Sequence, residues 1–239
     1  MEAMLRLGWV AAAALLTCCA TMPPDAGREG ARLMGELRMA SGGAAVDVPT
    51  GFHETGVVVE NGQTSTYETW GDFRALRWTG THTSGGVTRA SGFDGHIGWT
   101  KGADGTVHTD TSPAGLAGAR LGAYLTIAAY FYPDRFPARF EYKGRRTAEG
   151  EIFDVVTVTP QDSVPIDFWL DEATHHLRRL VGMDGTTPFL GIVEREQIVS
   201  GVRIGSVVRQ VDGEHDMAQT VTLYEFVSVP DARFSPPAH

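Results

Sequence analysis

The residues here that could do chemistry come mostly in short pairs, and their spacing decides what each pair can be. Asp110-Thr111-Ser112 falls one residue short of an aspartyl-protease triplet, because serine stands where the tight turn needs glycine and Pro113 follows. The segment reads instead as a helix cap. His175-His176, close behind Asp171-Glu172, offers zinc-type ligands. Neighbouring side chains diverge along a strand, however, and this pair falls at a hairpin edge. Asp212, Glu214, His215 and Asp216 form an acidic hairpin tip that could hold a cation weakly but needs none as a solvated turn. His53-Glu54 lacks the second histidine of a zincin helix, and no G-x-S-x-G elbow, phosphate loop or dinucleotide fingerprint occurs. The expectation is therefore no catalytic residue, no metal and no cofactor, with an unrecognised hydrolase as the least favoured alternative.

The only cysteines, Cys18 and Cys19, are adjacent, so the remaining chain has no disulfide, no cysteine-based zinc site and no CxxC redox centre. Arg6 and the apolar stretch from Leu7 to Leu16 precede them in a signal-peptide layout, too short to span ~30 Å of hydrocarbon. Leu15-Leu16-Thr17-Cys18-Cys19 resembles the lipobox of bacterial lipoproteins. Leu16 and Thr17 suit the positions before Cys19, which is the expected lipid anchor, with Cys18 as the alternative and an ordinary cleaved signal peptide as the blander reading. Ala20 is not the aspartate that retains such lipoproteins at the inner membrane, so the resemblance implies attachment to the periplasmic face of the outer membrane. Residues 1–18 then form the signal peptide, 19–25 a proline-stiffened tether and 26–239 a single domain.

A formal charge of −9 and the lack of a basic patch exclude nucleic acid as an expected partner. Within the domain, Leu33, Met34 and Leu37 give helical spacing over Arg28 to Met39, stopped by Ser41-Gly42-Gly43. From about Phe52 the period becomes two. Asn61-Gly62 marks a hairpin, and turn pairs such as Gly85-Gly86, Asp94-Gly95, Asp104-Gly105, Glu149-Gly150 and Ser200-Gly201 recur at strand-sized gaps. This pattern predicts an antiparallel meander of about ten or eleven strands. Ser112-Pro113 begins a second helix that reads apolar as far as Phe131, with Pro133 and Pro137 beyond it. The fold class is mainly β (α+β): a long curved sheet with an N-terminal helix and a central apolar helix buried against one face.

Three stripes mark that face. Leu76 shares a strand face with Trp78, Ile97 with Trp99, and Ile166 with Phe168 and Leu170, opposite Asp167 and Trp169. Leu76, Trp78, Ile97, Trp99, Ile166 and Phe168, together with Leu121, Tyr124 and Leu125 of the central helix, are the candidate ligand-binding residues, either lining a cavity or filling it. Gly115, Gly118, Gly122 and Ala129 leave the helix little bulk, so it either packs close to the sheet or leaves room for a ligand.

The two helices, Ala40-Ser41-Gly42-Gly43, Gly92-Phe93-Asp94-Gly95 before Trp99, the strands flanking Asp171-Glu172-Ala173-Thr174, and the closing Pro230-Asp231-Ala232-Arg233-Phe234 resemble the LolA/LolB-like superfamily. They are most similar to the version found ahead of retroviral-type aspartyl proteases, although no Asp-Thr-Gly or Asp-Ser-Gly triplet occurs here. The resemblance implies a half-open barrel that carries a lipoprotein acyl chain or another hydrophobic small molecule, with no catalysis. The competing readings are an assembly or sensing lipoprotein with a self-filled core, whose protein partner the sequence does not identify, and the hydrolase.

Overall fold

The computed structural model describes residues 25–184, 187–212 and 215–237, so the signal segment, Cys18 and Cys19 lie outside the described residues. Helix α1 (Ala26–Ala40) buries Leu33, Met34 and Leu37, the residues whose spacing predicts it. One of its glycines is required: Gly30 lies so close to the backbone of Phe140, Glu141 and Tyr142 that a Cβ would sit 3.0 Å from it. The helix therefore rests directly on strand backbone.

Thirteen strands follow: β1 (Gly51–Glu60), β2 (Gln63–Asp72), β3 (Arg77–Ser84), β4 (Val87–Phe93), β5 (Gly98–Lys101), β6 (Val107–Asp110), β7 (Ala138–Ala148), β8 (Glu151–Pro160), β9 (Ile166–Asp171), β10 (Leu177–Asp184), β11 (Thr187–Val199), β12 (Val202–Asp212) and β13 (His215–Phe226). The count exceeds the expected ten or eleven partly because β5 and β6 have four residues each, too few to show alternation. All pair antiparallel in one sheet of order β6-β5-β4-β3-β2-β1-β13-β12-β11-β10-β9-β8-β7. The first and last strands meet at its centre, and β6 and β7 form the two edges of a half-barrel that does not close.

The chain passes from one edge to the other through α2 (Pro113–Thr126), which touches β3, β4 and β5 on one side and β8 on the other. The sequence predicts one helix as far as Phe131. Instead α2 stops at Thr126, Ala128 takes a left-handed φ of 49°, and a 3-10 turn covers Ala129–Phe131. Ile127 and Ala129 are both fully buried. On a continuous helix they would point about 200° apart, so the break lets both face inward.

The core is lopsided. Leu33, Leu37, Tyr124, Ile127, Val156, Phe168 and Leu170, all at most 1% exposed, fill the concave side over β7–β10. The concave side over β1–β6 is lined differently.

Candidate functional site

Register places side chains of the β1–β6 half in rows that cross the concave face, because directly paired residues share a face. One row is aromatic: Phe52, Gly71, Trp78 and Phe93, with the Phe52 ring lying over Gly71. The next carries polar side chains at every position but Gly80: Glu54, Thr69, Gly80, Ser91, Thr100 and His108. Beside it run Gly56, Tyr67, His82 and Arg89. Six strands at ~4.8 Å spacing make the polar row about 24 Å long. It is half-buried at Glu54 and exposed at Thr100 and His108, so the trough deepens from the β6 rim towards β1.

A cavity of about 810 Å³ occupies this trough, walled by Phe52, Val58, Trp78 and Met217 as well as by the polar row. A second, of about 640 Å³, lies between the sheet and the small-residue face of α2. The two share Trp78, Ser91, Thr100 and His108 and so adjoin. A side chain at Gly118 or Gly122 would meet nothing within 4 Å, so both positions open onto this second space. By contrast, Gly98 packs against Ala119 closely enough that its own Cβ would clash.

At the deep end, Tyr67 donates its hydroxyl hydrogen to Glu54 Oε1, and Gln219 Nε2 donates to the same oxygen at 3.1 Å. Burial raises the Glu54 carboxyl above the usual range, outweighing these two hydrogen bonds, which act to lower it. Burial, followed by the Glu54 charge, pushes the Tyr67 phenol up as well. Ser65 Oγ and His82 Nε2 stand 2.7 Å apart in the same trough, the geometry of a nucleophile and its base. Ser65 is buried in mid-strand with its hydroxyl also 3.3 Å from the Val58 carbonyl, and no carboxylate holds the other histidine nitrogen among the described residues. The pair reads as a brace between β2 and β3.

No protein-family model and no curated protein matches the chain. Among the solved structures that are similar in fold, two have TM-scores above 0.5. A DUF1329 family protein from Desulfovibrio piger ATCC 29098 is 13% identical with a TM-score of 0.60, over 88% of this chain and 98% of that one. A domain from Vibrio parahaemolyticus, described as an outer membrane lipoprotein-sorting protein domain, is 10% identical with a TM-score of 0.57, over 87% and 97%. The fold is LolA-like.

On this LolA-like frame the residues singled out from sequence divide into two groups. Trp78 borders both cavities and Trp99, its ring over Gly92 and only 4% exposed, borders the second. Ile166, Phe168 and Tyr124 lie in the packed core, and Leu76, Leu121 and Leu125 pack against it. Ile97 precedes β5 and donates its backbone N–H to Asp94. Cys19 lies outside the described residues.

The other pairs separate too, His175 and His176 in the turn between β9 and β10, where His175 takes a left-handed φ of 56°. His175 approaches Glu36 of α1 at 3.5 Å, while His176 contacts Glu196 of β11 at 3.1 Å. Ser112 caps α2, accepting from Gly115 N at 3.1 Å. The tip around Glu214 is largely outside the described residues, and among the described residues no three ligand-type side chains converge on a metal position. His53 turns to the convex face, stacked on Trp70 between Glu68 and Glu225, leaving Glu54 alone in the trough. Sequence reasoning missed the Glu54–Tyr67–Gln219 group. Its one early signal is a carboxylate in the same parity as Phe52 and Val58, two apolar inward positions of β1.

Proposed function

We propose that the protein is a non-catalytic binding protein of the bacterial envelope, held to the periplasmic face of the outer membrane through an acylated Cys19. Its trough takes up an amphiphile, either a lipid or the acyl chain of a lipoprotein. The observation that carries this reading is the pair of adjoining cavities: the space beside Gly118 and Gly122 opens onto a half-polar trough, which gives one site a mainly apolar slot and a hydrophilic floor. Both cavities fall within the usual 300–1,000 Å³ of small-molecule sites. About ten methylenes entering the slot would gain roughly 8 kcal/mol by transfer, before losses of motion are subtracted.

The filled β7–β10 half favours a second reading, in which the molecule is an interaction subunit with its own side chains as the only occupants. Brominated amphiphiles titrated into the purified Cys19→Ala protein decide between them. Saturable quenching of tryptophan fluorescence through Trp78 and Trp99 supports uptake. Its absence for every long-chain amphiphile supports the self-filled reading.

A further inference from the structure

Resting on that amphiphile reading, we propose that the trough selects amphiphiles whose head carries a primary ammonium group, with Glu54 as its counter-charge. The argument starts from a carboxylate that has donors but no cation. Tyr67 and Gln219 both donate to Oε1, both are uncharged, and among the described residues no Arg, Lys or His forms an ion pair with Glu54. A carboxylate away from bulk water is costly to keep charged unless a cation reaches it. The ionisable groups that border the same trough are Glu60, Tyr67, His82, Arg89, Lys101 and His108. Arg89 stands on β4, three strands from β1, about 14 Å away at ordinary strand spacing. The rim cation therefore does not neutralise the deep carboxylate.

Neutral donors on one oxygen hold the Glu54 side chain in a fixed orientation, and no hydrogen bond reaches Oε2 among the described residues. A ligand ammonium has three donors and no acceptor. It can place one on Oε2 and another on the hydroxyl of Thr69, which is directly paired with Glu54. A carboxylate or phosphate head at the same depth would face Glu54 with like charge, and an alcohol would satisfy the oxygen without cancelling the charge. The aromatic row of Phe52 and Trp78 runs alongside, so a head seated on Glu54 has its chain beside apolar surface leading to the α2 slot.

The test is a matched twelve-carbon series, dodecylamine, dodecanol and dodecanoate, each competing with a bound fluorescent amphiphile on the full chain at neutral pH. The amine is expected to bind roughly tenfold or more tightly than dodecanoate. Glu54→Gln, which keeps the shape and removes the charge, should bring that ratio close to one. Tyr67→Phe serves as the second variant: it removes a donor but keeps the charge, so the amine preference should survive. Equal affinities for the amine and the carboxylate, or a preference that persists in Glu54→Gln, overturns the proposal while uptake itself stands. If none of the three compounds binds, the amphiphile reading falls and takes the head-group assignment with it.

Discussion

The Tyr67 ring lies across β1 because the residue directly opposite it, Gly56, has no side chain: a Cβ at Gly56 would overlap Tyr67 Cε1 and the Thr220 carbonyl oxygen. This vacancy lets the hydroxyl reach diagonally to Glu54. Gly56→Ala should therefore destabilise the fold by about 2 kcal/mol through overpacking. It should also loosen the deep end of the trough, to be seen as a lower urea midpoint and a shifted near-ultraviolet tyrosine signal.

The three glycines of α2 should respond in opposite ways. Gly118→Ala meets open space and gains helix propensity, for about 0.5–1 kcal/mol of added stability. Gly118→Leu or Gly122→Leu should keep the fold and occlude the slot, abolishing saturable quenching by brominated chains. Gly115→Ala would collide with the Asp110 carboxylate and should lower the melting temperature.

Asp72, with a side chain 1% exposed, accepts from Arg74 N at 2.8 Å, Arg74 Nε at 3.1 Å and Arg77 Nη2. Arg77 also reaches Asp231 at 2.8 Å, tying the C-terminal turn to β3. Burial alone would raise the Asp72 carboxyl, but the arginine hydrogen bonds win and hold it below its usual value. A carboxylate lowered on folding stabilises above its unfolded pKa, and that contribution is lost as pH falls through the folded value. Asp72→Asn should cost about 3 kcal/mol at neutral pH and flatten the acid limb of a stability–pH curve.

Glu54 has the opposite sign. Its carboxyl is raised on folding, so the folded state holds the proton more tightly and stability declines as pH rises from the unfolded to the folded pKa. Without ligand, Glu54→Gln should raise stability at pH 7 by about 1 kcal/mol, a melting shift of ~2–4 °C, and change little below the ordinary carboxylate range. Thermal melts at both pH values check this.

Cys19→Ala should release the protein from membranes or block its processing, whereas the unaltered protein should resist salt washing because several acyl chains act together. Palmitate labelling that survives Cys19→Ala but not Cys18→Ala would move the anchor by one residue.

The fold was legible because turn pairs such as Asn61-Gly62 and the helical spacing of Leu33, Met34 and Leu37 are local signals, and the local geometry follows them. Occupancy of the concave face was not. The stripes Leu76/Trp78 and Ile166/Phe168 look alike as periodic patterns, yet Trp78 borders open space and Phe168 is fully buried. That difference depends on which half of the sheet the helices cover. The carboxyl group at Glu54 was hidden for a related reason: its donors come from positions 67 and 219, brought together only by pairing across β2 and β13.

That pairing also sets an order in time. Residues 51–110 and 138–226 each contain strands that can zip to sequence neighbours, but the seam of β1 with β13 joins positions such as Glu54 and Tyr224, at opposite ends of the chain. Contacts of such long range form slowly, because loop closure precedes their reward. In refolding, circular dichroism should recover before amphiphile uptake does, and a chain halted after β12 should hold strands but lack the wall of the trough that Met217 and Gln219 supply. The deep end of the trough, where Gln219 meets Glu54, is the last part of the molecule to come into existence.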